Sequence, residues 1–437
     1  MNKNLKDMFV VGFALFAMFF GAGNLIFPPY LGVISGQAWL AGFLGFLFAD
    51  VGLAILSLLA SAKKDGDIEK IFIRAGKKFS VVLASLIMIC LGPLLAIPRT
   101  GATTFEMGIE PIFPNFNMMI FLVIFFGLTL FLTIRPSKVV DIIGAYLTPI
   151  LLIVLIFMIA KGVLFPLGGV DTKMLIDSAV TEGIQQGYQT MDALAGVALS
   201  TVVITSLMQK GYKNLDVKIK MTLKSGLVAA IGLLIVYGGL TYLGATYANE
   251  LLAQNPGLVP EDIDRTKLIV AITEELLGGG GKIALAIIVA LACLTTSIGL
   301  VSACAGYFAQ LSKNKLPYEK LVIAICAFSI VIAQFGVDTI ISFAAPILSI
   351  IYPATVILVI CTLFEKYIKN DNSVRLAAYI AILYSLIEVF GGIANVDVSF
   401  LKVLPLASFG FGWVIPAIVA GIVGAFIPSK STKRVTS

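Results

Sequence analysis

The sequence predicts an all-α integral membrane protein with twelve transmembrane helices. Three observations carry that prediction. Of its 437 residues, 59% are apolar and only 13% are charged, about half the charged share of an ordinary globular chain. Apolar windows long enough to span a bilayer recur along the whole chain, separated by mostly short polar connectors. Lys and Arg concentrate on alternate connectors. A water-soluble enzyme of this length would need far more polar surface. A disordered chain or a secreted disulfide scaffold fits no better.

The windows fall at about 8–34, 38–60, 79–100, 116–134, 139–165, 187–208, 225–248, 283–311, 320–336, 339–364, 376–394 and 409–428. The first is too long for a secretory signal and lacks an A-x-A cleavage site, so it reads as a retained helix. The longest connector is 249–282, with an acidic cluster and the run Gly278–Gly281. With the N-terminus inside and the sides alternating, 24 of the 31 Lys and Arg residues lie on inner connectors. The positive-inside rule then places both termini in the cytoplasm. The formal net charge of +6 suits an anionic inner leaflet and points to lipid, not nucleic acid.

Absent residue types narrow the function. The chain contains no histidine, which excludes imidazole metal sites, Ser-His-Asp or Cys-His nucleophiles and a histidine relay. Cys90, Cys293, Cys304, Cys326 and Cys361 all sit in apolar stretches with no CxxC pair, as small buried hydrophobes do. No Walker sequence occurs and no loop could hold a nucleotide-binding domain, so neither an ATP-driven pump nor an ATP-binding subunit is expected. The chain is not an enzyme. A channel would need a polar stripe along a span, and none is present. A nutrient sensor would need an output domain, for which the tails 1–7 and 429–437 are too short.

Two helices are expected to break. The first carries Gly21-Ala-Gly23-Asn24 and then Pro28-Pro29 at mid-membrane. Backbone groups freed there find no partner in lipid, so an ion or polar substrate can serve. A proline kink with close GxG packing is the equal alternative for this segment taken alone. The sixth window supplies a second weak spot, Gly187-Tyr188-Gln189-Thr190-Met191-Asp192, with an acid at membrane depth. Breaks five helices apart point to an inverted repeat of five plus five helices with two more appended. The repeats would be 8–165 and 187–364, with 376–428 as the extra pair, in a single transporter domain. In the eighth window Thr295, Thr296 and Ser297 stand in an apolar helix. Such hydroxyls usually bond back to their own helix, but they also suit a hard alkali cation.

Four motifs in order, GAGNLIFPP (21–29), GPLLAIPRTGATTFE (92–106), GYQTMDALA (187–195) and LTTSIGL (294–300), resemble the branched-chain amino acid:cation symporter family. These are the BrnQ-type system II carriers of bacterial cytoplasmic membranes. The resemblance runs over the whole chain and implies a LeuT-like fold of the amino acid–polyamine–organocation superfamily. It implies a sodium site made by the carbonyls of Ala17, Phe20 and Ala292 with the hydroxyls of Thr295 and Thr296. It further implies that the amides of Ala22 and Gly23, beside Gly21, face the substrate carboxylate. Asn24 and Thr190 would hold a second sodium together with that carboxylate.

Asp192 is a candidate for the substrate ammonium, a cation, a proton, or a helix cap. Tyr188, Met191 and Ile298 are candidates to line the aliphatic pocket. Arg99, near the outer end of the third span, is either a snorkelling side chain or, with Glu106, part of an external gate or network. Asp50 departs from the family pattern and, like Glu388, could pair with an internal polar group; Glu388 lies outside the ten-helix core, which favours a structural or oligomer contact for it. The expected activity is uptake of Leu, Ile and Val driven by a cation gradient, with Na+ the coupling ion and no other cofactor. The alternative is a proton-coupled permease for another neutral amino acid or a nucleobase.

Overall fold

The computed structural model describes residues 3–135, 141, 143–394 and 396–428. Lys138, Lys430, Lys433 and Arg434, part of the charge-bias argument, lie outside the described residues. Among the described residues every regular element is helical, and helices occupy all twelve apolar windows. The first window holds α1 (Lys3–Phe19) and α2 (Ala22–Ser35), and the second holds α3 (Trp39–Leu47) and α4 (Leu53–Ala62). A short α5 (Ile68–Phe72) precedes α6 (Lys77–Ile89) and α7 (Ala96–Thr104), the third. Then follow α8 (Met118–Thr133), α9 (Thr148–Leu164), α10 (Ala179–Thr190), α11 (Asp192–Gln209) and α12 (Leu215–Gln254). After α13 (Arg265–Leu277) come α14 (Gly281–Leu311), α15 (Tyr318–Ala333), α16 (Val337–Leu363) and α17 (Asp371–Ile393). The small α18 (Ser399–Lys402) leads into α19 (Val414–Ala425). Eight helical stretches among the described residues are long and apolar enough to cross a membrane. Met118–Thr133 and Val414–Ala425 are shorter apolar helices.

Two differences from the sequence reading have simple causes. The sixth segment begins at Ala179, not near 187, because Ser178 caps it by accepting from the Thr181 amide at 3.3 Å. Its first half is too polar to register as an apolar window, yet it packs along α3. A Cβ on Gly183 would lie 2.0 Å from the Gly42 carbonyl oxygen, so only glycine permits that approach. The connector 249–282 is largely helical: α12 runs on to Gln254, and Asp264 caps α13 through the amides of Thr266 and Lys267, each at 3.0 Å.

Packing follows from small residues at crossings. Along α2 and α12, a Cβ on Gly32 would meet the Thr241 carbonyl at 2.0 Å, and one on Gly244 the Pro29 carbonyl at 1.9 Å. The broken segments are clasped in parallel fashion, α3 along α10 and α4 along α11. Helices α17 and α19 pack on each other at the edge, beside α16. Large apolar side chains such as Phe131, Ile153 and Phe343 point outward, as a lipid-facing surface requires. Connectors that alternation assigns to one side do meet there. Lys64 pairs with Glu365 at 2.7 Å, Arg74 with Asp371 at 2.7 Å, Lys210 with Asp141 at 2.7 Å, and Lys218 with Asp65.

Gly244→Leu is therefore expected to abolish a monodisperse peak on size-exclusion chromatography. Gly127→Leu, at a position with nothing within 4 Å of the added Cβ, should leave the peak unchanged.

Candidate functional site

Four segments lose regular helix where they face one another. The first breaks at Phe20 and Gly21. Gly21 is extended, with φ −117°, and its N–H donates to Asn24 Oδ1 at 3.2 Å. The amides of Ala22 and Gly23 thus open α2 as a half-helix with its positive end at the break. Pro28 and Pro29 lie inside α2, so the chain unwinds before them, at the glycine. The sixth segment breaks at Met191, which is left-handed with φ 71°. A large non-glycine residue held there costs about 1–2 kcal/mol, a cost found mostly at functional sites. The second carries a π turn over Phe48–Gly52 that holds Asp50. The third has another over Cys90–Leu94, with Gly92 out of helical geometry.

The eighth segment, α14, crosses this region unbroken and presents hydroxyls to the first break. Thr295 Oγ1 donates to the Ala17 carbonyl at 2.8 Å and to the Ala292 carbonyl at 2.9 Å. Thr296 Oγ1 donates to the same Ala17 carbonyl at 3.2 Å. Both threonines are buried. A Cβ on Gly21 would come within 2.7 Å of Thr296 Oγ1, which explains why glycine stands at that turn. Four of the five expected sodium ligands are thereby in one cluster, with Phe20 at the break beside them.

A second polar cluster lies between the first and sixth breaks. Asn24 donates its amide to Asp192 Oδ2 at 2.9 Å and to the Tyr237 hydroxyl. Thr190 Oγ1 donates to Asp50 Oδ1 at 2.8 Å and to the Gly187 carbonyl at 2.6 Å. Arg99 donates from Nη1 to the Gln189 carbonyl at 3.0 Å and from Nη2 to the Thr190 carbonyl at 3.3 Å. Its guanidinium thus caps the C-terminal, negative end of α10. It also lies 5.7 Å from the Phe27 ring centroid. Gly23 leaves it room, since a Cβ there would be 2.8 Å from Nη2.

A cavity joins the two clusters. Its walls include Gly21, Ala22, Asn24, Arg99, Thr190, Met191, Asp192 and Thr296, with Met18, Phe19, Leu91, Ala96, Ala195 and Leu300 as apolar lining. Several expectations change. Arg99 is not near the outer end, because the third segment continues helically to Ile109 and the side chain is only 3% exposed. Glu106 is not joined to Arg99; it accepts from the Val337 amide at 2.9 Å and caps α16. Tyr188 stacks on Tyr352 at 4.6 Å and meets Phe411 edge-on instead of lining the cavity. Ile298 is fully buried on a helix face away from the cavity lining. Asn24 and Thr190 engage carboxylates, and the Asn24 oxygen is turned to Gly21. For Asp50 the sequence offers only a pairing with an internal polar group, which Thr190 supplies, and it does not single out Met18, Phe19, Leu91, Ala96 or Leu300. A π turn sets Asp50 and the third-segment kink sets Leu91 and Ala96, and in the sequence only Gly92-Pro93 hints at that kink.

The whole chain is similar to known transport proteins. A family model described as branched-chain amino acid transport protein matches residues 4–431. The branched-chain amino acid permease BraB of Bacillus subtilis (strain 168) is 36% identical, with 99% of each chain covered. A putative branched-chain amino acid carrier protein of Staphylococcus aureus (strain USA300) is 37% identical over 98% of this chain and 97% of its own. Among solved structures, the nucleobase-cation-symport-1 family transporter MHP1 in a closed conformation aligns with TM-score 0.62 at 14% identity, covering 96% of this chain and 91% of that one. MhsT in complex with L-phenylalanine aligns with TM-score 0.55 at 17% identity, covering 95% and 97%. These likenesses show a shared LeuT-type transporter fold. The relatives are transporters, not enzymes, and the chain belongs to the branched-chain amino acid transport protein family.

Proposed function

We propose that this chain is a secondary active symporter that imports Leu, Ile and Val with a cation, most directly Na+, by alternating access. The observation that carries the reading is the convergence of Thr295, Thr296, Ala17 and Ala292 oxygens at the first break. A sodium ion would take the Ala17 and Ala292 carbonyls away from the threonine hydroxyl protons, with the Phe20 carbonyl as a further ligand. The hydroxyl oxygens would then complete its shell. The broken first helix would be drawn against α14, which changes with the cation and gives the coupling a physical basis.

The cavity suits a zwitterion with an aliphatic tail. The Ala22 and Gly23 amides and the Arg99 guanidinium favour a carboxylate, and Asp192 favours an ammonium. Met18, Phe19, Leu91, Met191 and Leu300 offer soft apolar walls. Such walls separate ligands by only about 1–3 kcal/mol per methylene, so Leu, Ile and Val are expected to share the site. The architecture proposed with this is twelve crossings as a five-plus-five inverted repeat and two added helices. Both ends would face the cytoplasm of a bacterial cell, in its inner membrane.

The test is labelled leucine uptake into proteoliposomes of purified protein. A sodium gradient should give concentrative uptake, which excess isoleucine or valine suppresses, whereas a proton gradient of equal size should not drive it. Uptake driven by protons alone would favour the proton-coupled alternative, and no leucine uptake by folded protein would remove the substrate assignment. In the same assay Arg99→Lys should lower uptake at least tenfold, because an ammonium cannot bridge two carbonyls as a guanidinium does. Wild-type rates in that variant would count against Arg99 as the brace of the sixth break.

A further inference from the structure

The cavity has two ends of opposite character. Three helices each give it a polar residue and, three or four positions along, an apolar one: Arg99 with Ala96, Asp192 with Ala195, and Thr296 with Leu300. At that spacing the two side chains share a helix face, roughly 5 Å apart along the axis.

Chain direction puts all three apolar partners on one side. Lys3, which opens α1, donates to the carbonyl of Lys210, just past α11, at 3.4 Å. Thr201, in the second half of α11, donates to the Gly66 carbonyl ahead of α5 at 2.6 Å. Tyr307, near the end of α14, donates to Glu69 Oε1 in α5 at 3.4 Å. The starts of α1 and of the third segment thus share one end of the bundle with the ends of α11 and α14. Ala96 precedes Arg99, whereas Ala195 follows Asp192 and Leu300 follows Thr296, so each apolar residue lies toward that end. Met18, ahead of the first break, lies on the same side. On the proposed architecture this is the cytoplasmic end.

The open space lies against the two alanines. Ala96 and Ala195 are 6% and 5% exposed, while Met18 and Leu300 are 1% and 2%. Both alanines face the cavity, so a larger side chain at either would take room from a ligand.

We propose that the bound amino acid stands along the bundle axis, its charged head between Arg99 and Asp192 and its tail toward the cytoplasmic end, and that Ala195 with Ala96 sets the length of tail that fits. The proposal rests on the branched-chain amino acid reading and assigns its specificity-determining residues. A branched aliphatic tail fills a chamber between the alanine methyls, with Met18 and Leu300 as its floor. A longer or aromatic tail meets Leu300, and a polar tail gives up its hydrogen bonds to water against apolar walls.

The test is displacement of labelled valine from purified full-length protein in sodium chloride. The competitors are valine, leucine and phenylalanine, with valinamide as a probe of the head group. Ala195→Val should weaken leucine relative to valine by roughly tenfold or more, the usual effect of one methylene too many in an apolar pocket. The ratio of valine to valinamide should stay as in the natural sequence. Leu300→Ala should strengthen phenylalanine relative to valine. If Ala195→Val does not fold, Ala96→Val takes its place with the same expected shift. An unchanged leucine-to-valine ratio in a variant that binds valine overturns this proposal alone. So does an equal change in the valinamide ratio, which marks a general distortion of the site. Failure of the natural sequence to bind valine removes the branched-chain reading and this proposal with it.

Discussion

A broken helix inside a membrane leaves backbone donors and acceptors that lipid cannot satisfy, and the centre of this protein is built around that constraint. The first segment opens at Gly21 and the sixth at Met191. Several polar side chains nearby answer particular exposed groups. Asn24 takes the Gly21 amide, Arg99 takes the carbonyls at the end of α10, and Thr295 and Thr296 share the carbonyl of Ala17. These side chains hold the breaks open in a defined geometry, so that the half-helix ends can meet a ligand.

The cost of that arrangement is spread over the packing. Helices α3 and α4 lie against the two halves of the sixth segment, and α12 lies along α2 through paired glycines. The unbroken α14 lies against the first break through Thr295 and Thr296. Ion pairs among Lys64, Arg74, Lys210 and Lys218 and their acids tie the connectors at one end of the bundle. At the other end the contacts are different: Glu106 caps α16, and Arg265 lies 4.2 Å from the Tyr30 ring centroid. On the proposed transport reading, opening one end while the other stays closed would exchange one set of contacts for the other.

Local chemistry in the sequence exposed part of this. Gly21-Ala-Gly23-Asn24 marks a place where helix cannot be cheap, and the turn is there. Thr295 and Thr296 are adjacent hydroxyls on an apolar helix, and both reach the first break. What sequence could not convey was depth and phase. Arg99 reads as an interfacial residue only if the third helix ends early, and two π turns carry it on to Ile109. Asp50 looks like an isolated misfit until its own π turn aims it at Thr190. Tyr188 and Ile298 sit at apolar helical positions whose facing depends on rotations that a periodicity cannot fix. The polar half-helix α10 escaped hydropathy because its shield is tertiary, supplied by α3.

On the proposed symport reading, a cation would gain its hold on the substrate site at the oxygen cluster where α1 ends against α14. The most direct measurement is equilibrium binding of labelled leucine to purified protein while sodium replaces choline at constant ionic strength. Leucine affinity should rise with sodium in the natural sequence and become indifferent to sodium in Thr295→Ala/Thr296→Ala. Equal affinity in choline and sodium, or an undiminished sodium response in that variant, would contradict the account.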